Sequence, residues 1–337
     1  MLRLAFSAIL GFSTLDELAQ GLTDVTENVI TGVLEAIRQE RADGRSIEFA
    51  VIAMGRFGGR ELGFGSDADI VYVFRAGATD ADAAHTTAKS LVSELGRLTE
   101  DNRLPLDLDI GLRPEGKNGP PVRSLDSYRA YYERWSLTWE AQALLRARGV
   151  AGDTALLDDF TSLADEVRYP VQISDQAVRE VRRIKARVEN ERLPQGADPT
   201  RHLKLGRGSL SDVEWFVQLI QLEHAADVPA LRTTSTLEAL SVASHSDLVS
   251  EPDALRLREA WIFASRARSA MTLWSNKTAD VLPVDRVQLD GVARLLEYPP
   301  GSASALEQDY LAVTRRARAV FERSFYGQVE RPTPSTA

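Results

Sequence analysis

The sequence predicts an α+β fold, a small mixed sheet with helices followed by an all-α helical bundle. Three observations carry this reading. Short apolar runs broken by glycine crowd the stretch from Ile47 to Leu112. Beyond Pro114 the chain reads as almost entirely helical, and beyond about residue 150 the apolar spacing follows three and four with no sustained alternation. The 337 residues, 44% hydrophobic and 26% charged, are enough for one large domain or two ordinary ones.

Residues 13–41 read as helical. Ser13 or Thr14 is placed to cap, with Glu17 in the first turn, and Leu15, Leu18, Leu22 and Val25 follow at helical spacing. A second stretch, Val29 to Ile37, runs toward a turn at Asp43-Gly44. Glu48 to Met54 reads as a strand, and Gly55 to Gly65, with five glycines, as loop and short helix. Asp69 to Phe74 reads as a second strand, 80–100 as a helix, and Leu104 to Leu112 as a third strand. Tyr128, Tyr131, Trp135 and Trp139 share one helix face, read as core. Further helices are expected at 174–192, 211–225, 252–276 and 302–325. The divisions that follow are N-terminal helices over 1–46, an α+β unit over 47–150, a bundle over 151–330 and a flexible tail over 331–337.

Composition narrows the chemistry. Without cysteine there are no disulfides or thiolate metal sites, and His85, His202, His224 and His245 lack zinc-ligand spacing. A metal site here is built from carboxylates, which suits Mg²⁺ or Mn²⁺. The net charge of −9 argues against a general nucleic-acid binder. No apolar run approaches the roughly 18 residues of a membrane span, and Met1 to Phe12 lacks a signal-peptide cleavage site. The reading is a cytoplasmic segment of a longer polypeptide, with Met1 as an added start.

The informative stretch is Gly58-Gly59-Arg60-Glu61-Leu62-Gly63-Phe64-Gly65-Ser66-Asp67-Ala68-Asp69. Strand alternation puts Asp67 and Asp69 on one face with Val71, and Ile70, Tyr72 and Phe74 on the other. Two like charges about 7 Å apart on a strand face repel unless a cation lies between them. Pro105-Leu106-Asp107-Leu108-Asp109-Ile110 repeats the arrangement, so Asp107 or Asp109 comes up beside the first pair. Three carboxylates on adjacent strands can hold two metals and orient a nucleophile. The glycines upstream let backbone N–H groups approach an anion, and no Walker-type Gly-Lys-Ser/Thr is present. Taken alone, Gly-Ser-Asp-Ala-Asp also reads as a polar turn with solvated acids.

Gly-Gly-x-Glu-Leu-x-x-x-Ser-Asp-x-Asp at 58–69 resembles the nucleotidyltransferase signature of glutamine synthetase adenylyltransferases. The resemblance continues in Asp109-Ile110-Gly111-Leu112-Arg113-Pro114-Glu115-Gly116, Tyr131-Tyr132-Glu133-Arg134-Trp135 and Thr138-Trp139-Glu140-x-Gln142-Ala143-Leu144-x-Arg146-Ala147-Arg148. It ends in His202-x-Lys204-x-Gly206-x-Gly208 and Ser211-Asp212-x-Glu214-Trp215, and covers most of residues 50–240. Ser209 and Arg207 depart from the glycine and proline expected there.

The resemblance implies an Mg²⁺-dependent transfer of AMP from ATP to a tyrosine hydroxyl of glutamine synthetase. A PII signal protein and glutamine are the implied regulators. Gly65-Ser66-Asp67 and the Thr-Trp-Glu block look like the adenylylating, C-terminal copy of the duplicated domain. The alternatives are the deadenylylating copy and a non-catalytic docking domain. By resemblance Asp67 and Asp69 bind the metals, and Asp109 completes the site and takes the tyrosine proton, with Asp107 the runner-up. Gly58, Gly59 and Ser66 would contact phosphate. Arg113, Arg146, Arg148 and Lys204 are candidates to neutralise it, against the plainer reading of salt bridges and solvated faces. Ser211-x-x-Glu214 fits a capping box, and the basic run Arg182, Arg183, Lys185, Arg187 and Arg192 reads as a solvated helix face.

Overall fold

The computed structural model describes residues 1–100, 106–135 and 138–327. Two compact units share the chain: residues 1–172 with 224–235, and residues 173–223 with those from 236 onward.

In the first unit, Leu2–Ile9 (α1) precedes one long helix, Leu15–Glu40 (α2), in place of two shorter stretches. Thr14 caps α2 through a complete capping box with Glu17. Strand β1 is Glu48–Ala53, the turn α3 is Gly55–Gly58, and strand β2 is Ala68–Arg75. Helix α4, Ala81–Thr99, is capped by Asp80. The third strand, expected over 104–112, is only Leu108–Asp109 (β3), and residues 104 and 105 lie outside the described residues. Arg113 and Gly116 already close turns just beyond it, which ends the ladder early.

The region after Pro114 is less uniformly helical than its spacing suggests. Val122–Ser124 (β4) and Arg148–Gly152 (β5) are strands, too short to show alternation. Leu125–Trp135 (α5) and Thr138–Leu144 (α6) are helical, with Tyr128 and Tyr131 on α5 and Trp139 on α6; the expectation of one continuous aromatic face passes through residues 136 and 137, which lie outside the described residues. Helix α7 is Thr154–Arg168.

β1 lies between β2 and β5, antiparallel to both. The other edge of β2 pairs in parallel with β3 at its start and with β4 toward its end. Ile70, Tyr72 and Phe74 join Phe49 and Val51 in a core with α2 and α4, while Val71 and Val73 join Ala50 and Ile52 in a core with α5 and α7. Because α7 packs on β1, β2 and β5, the contact boundary falls after residue 172, beyond the 150 suggested by sequence.

The second unit is helical: Asp175–Glu191 (α8), Leu210–His224 (α9), Thr236–His245 (α10), Glu251–Ser275 (α11), Arg286–Leu295 (α12) and Ala303–Ser324 (α13). Among its described residues the only β contact is an isolated bridge, His202 to Val281. Lys185 on α8 is fully buried, with Nζ 2.6 Å from Asp212 Oδ1, and Arg318 reaches Asp212 Oδ2 at 2.9 Å. The basic run is therefore not a uniform solvated face. Ser211 lies inside α9, where its hydroxyl accepts from Lys185, so it is not the cap of a capping box.

Candidate active site

The site forms where β2 begins. Ala68 and Asp69 pair in parallel with Leu108 and Asp109, which sets the two acids side by side. Asp67 lies two residues back on the Asp69 face, and Asp67, Asp69 and Asp109 each offer an oxygen within 4.8 Å of the others. The first two are half-buried and Asp109 is exposed. Asp107 is not in this group; its carbonyl instead accepts the Ala68 N–H at 2.8 Å and opens the ladder.

Backbone geometry seats the carboxylates. The Gly111 N–H donates to Asp109 Oδ1 at 2.6 Å. Met54 N–H donates to the Asp69 carbonyl at 2.8 Å, and Gly55 follows at φ +51°. A Cβ on Gly55 would lie 2.1 Å from Asp69 Oδ2, so only glycine leaves that carboxylate its position. Three like-charged, hard oxygen donors this close repel one another, and a divalent cation relieves that repulsion. The donor set fits Mg²⁺ or Mn²⁺.

The glycines read as a phosphate cradle have a different local use. The N–H groups of Gly58 and Gly59 donate to the carbonyls of Met54 and Gly55, closing the α3 turn. A Cβ on Gly58 would meet the Arg146 carbonyl at 1.7 Å, and one on Gly59 would meet Arg146 Nη1 at 2.1 Å. These two glycines let the Arg146 segment pack against α3. Ser66 closes the preceding turn, its hydroxyl accepting the Gly63 N–H at 3.0 Å.

The arginines are held by the protein itself. Arg146 and Glu61, both buried, form a 2.6 Å ion pair, and Arg146 also donates to Thr234 O at 2.8 Å. Arg148 pairs with Glu27 and donates to the carbonyls of Phe57 and Gly58. Arg113 donates to three main-chain carbonyls of its own loop. The second unit carries Lys204 in a loop whose amides are also internally bonded, Gly206 to His202 O, Arg207 to Pro199 O and Gly208 to Asp212 Oδ2. In the Thr-Trp-Glu block, Tyr131 donates to Glu140 at 2.7 Å; burial and then that bond push its hydroxyl up to about 12. The sequence reading missed Gly55 and Gly111, whose signal is only a glycine just after a strand.

A small mixed sheet with three carboxylates converging where β2 begins beside β3, next to a glycine turn, defines a nucleotidyltransferase-type domain. Residues 1–163 match the family model described as glutamate-ammonia ligase adenylyltransferase, and residues 175–325 the one described as GlnD PII-uridylyltransferase. Among curated proteins, the chain is similar to bifunctional glutamine synthetase adenylyltransferase/adenylyl-removing enzymes. That of Leifsonia xyli subsp. xyli is 76% identical over 98% of this chain and 33% of the relative. Those of Streptomyces avermitilis and Mycobacterium leprae are 50% and 47% identical, over 93% and 96% of this chain and 32% and 33% of the relatives. The chain is similar to these proteins over nearly its whole length and spans about one third of theirs.

Proposed function

We propose that this chain transfers AMP from ATP to a tyrosine hydroxyl of glutamine synthetase and releases pyrophosphate. The observation that carries the reading is the convergence of Asp67, Asp69 and Asp109. Asp67 and Asp69 would hold the divalent metal, and Asp109 would complete its ligand set. Bound Mg²⁺ or Mn²⁺ supplies neutralisation of phosphate charge. Asp109 is the residue that takes the proton. A free tyrosine has a pKa of about 10, so about one hydroxyl in a thousand is ionised at neutral pH. A carboxylate within hydrogen-bond reach removes that proton as the tyrosine oxygen bonds to the α-phosphorus. The bond from the α-phosphorus to the bridging oxygen breaks, pyrophosphate leaves, and the proton passes from Asp109 to solvent.

The chain's own contacts refine the other roles. Gly55 and Gly111 fix two of the carboxylates. Gly58, Gly59, Arg146 and Arg148 hold the turn beneath them, and their contacts within the protein favour this over phosphate contact. Ser66 and Lys204 remain the candidates for phosphate. A PII-type signal protein is proposed as a regulatory partner, supported by the name of the second family model. Glutamine as an effector and a cytoplasmic location rest on the family resemblance.

The relatives' names also include adenylyl removal, which favours a second reading: phosphorolysis of AMP-tyrosine to ADP. One experiment separates the two. The chain is incubated with glutamine synthetase, ATP and Mg²⁺, and in parallel with modified glutamine synthetase and phosphate. AMP on tyrosine, detected by mass, with little ADP release is the expected outcome. Robust phosphorolysis without forward transfer would overturn the direction, and neither product would overturn the enzymatic reading.

A further inference from the structure

We infer that Arg113 is a positioning residue that holds Asp109 in the carboxylate cluster by knotting the loop that follows it. The inference rests on the reading of that cluster as the reactive site. Asp109 ends β3, and the chain leaves the sheet immediately after it. Within that departing loop, Arg113 Nη1 donates to Ile110 O at 2.6 Å, Nε to Gly119 O at 3.0 Å and Nη2 to Lys117 O at 3.1 Å. One guanidinium therefore ties the first residue after Asp109 to residues seven and nine positions further on.

The loop is built to close around this group. Glu115 and Gly116 are both left-handed, at φ 63° and 56°, which turns the chain back on itself. Gly119 packs so tightly that a Cβ there would meet Pro114 O at 2.1 Å. Arg113 is buried at 8% exposure and, among the described residues, makes no ion pair with a carboxylate. A guanidinium in this setting is satisfied by main-chain dipoles, and its planar fork of donors suits three divergent carbonyls. The start of the loop reaches the site through the Gly111 N–H on Asp109 Oδ1. Gly111 lies between Ile110, which Arg113 anchors, and Arg113 itself. Loss of the knot frees the amide that orients Asp109. A supporting group of this kind typically changes metal affinity or activity by about 10–100-fold.

The test uses the whole 337-residue chain carrying Arg113→Gln, Arg113→Lys or Gly111→Ala. The alanine would press on Asp109 Oδ1 directly, since its Cβ falls 2.9 Å from it. Mn²⁺ binding is read by electron paramagnetic resonance without nucleotide, amide exchange over 106–119 by mass spectrometry, and kcat and KM for ATP by AMP transfer. Both Arg113 variants are expected to weaken Mn²⁺ binding by about tenfold or more and to speed exchange of the loop. They should lower kcat with KM for ATP within about twofold of wild type. Arg113→Gln combined with Gly111→Ala should lose less than the sum of the two, because both act on one carboxylate.

A raised KM for ATP with kcat unchanged would instead make Arg113 a phosphate ligand. Unchanged Mn²⁺ affinity and loop exchange would overturn the inference, as would additive effects of the two sites or global unfolding of both Arg113 variants. Absence of AMP transfer in the wild type would refute the proposed reaction alone, because Mn²⁺ affinity and exchange still judge the positioning role.

Discussion

Replacing Gly55 with alanine tests the seat of Asp69 with a single methyl group. The residue has φ +51°, where an L side chain costs about 1–2 kcal/mol. The added Cβ would lie 2.1 Å from Asp69 Oδ2 and 3.0 Å from Cγ. Ordinary contact requires the carboxylate oxygen to retreat by about 1 Å, and a misplacement of that size can cost about 10²-fold in rate. Stability by urea denaturation should fall by about 1–2 kcal/mol and AMP transfer by about 10²-fold. Gly32→Ala is the control: it lies within α2 with nothing within 4 Å of its Cβ, and should stabilise by up to about 1 kcal/mol without touching transfer. A Gly55→Ala variant that loses the expected stability yet transfers AMP at the wild-type rate would refute the claim that Asp69 must stay where it is.

Three further outcomes follow from other parts of the molecule. Asp67→Asn, Asp69→Asn and Asp109→Asn should each lower transfer by at least about 10²-fold with circular dichroism unchanged, since metal charge stabilisation is worth several kcal/mol; near wild-type turnover of any one at saturating Mg²⁺ would remove it from the site. Arg146→Met removes the buried ion pair with Glu61 and the bond to Thr234 O and should destabilise the first unit by about 3–5 kcal/mol in denaturant melts. In the second unit, burial pushes the Glu189 carboxyl up, but hydrogen bonds from Arg318 and the Lys185 charge outweigh it and hold it below the usual value. That stability is present above the ordinary glutamate value of about 4.3 and is lost as pH falls through the lower folded value, so Glu189→Gln should flatten the acid limb of stability against pH.

Local signals in the sequence were sufficient for the elements with a clear period or cap. Thr14 and Glu17 mark the start of α2, and the alternation from Asp69 to Phe74 assigns each β2 side chain to the core where it is found. The short strands were not legible. β4 has three residues and β5 five, and β5 carries Arg148 and two glycines, a composition its pairing with β1 overrides. The division near 150 failed to include α7 for a related reason. Amphipathic spacing announces a helix but not which surface it covers, and α7 covers the sheet.

The acids and the basic residues around them differ in how far sequence can reach. Parity alone puts Asp67 and Asp69 on one face, but it allows either Asp107 or Asp109 to join them, because both share a face. Register decides between them: Asp69 pairs with Asp109, and pairing is a property of two strands together. An arginine is harder still, since its long side chain can serve a phosphate, a carboxylate or a carbonyl. Arg113, Arg146 and Arg148 all stand in motifs that suggest phosphate, and all three donate to main-chain carbonyls. In a cluster where three carboxylates must be held closer than their charges favour, the surrounding frame has to be stiff. Guanidinium groups with several fixed acceptors provide that stiffness, the buried Arg113 at Ile110 beside Asp109 and the half-buried Arg148 at Phe57 and Gly58 in the turn that begins at Gly55. On the proposed reading of the site, Arg113 and Arg148 are therefore part of the mould that shapes the acids.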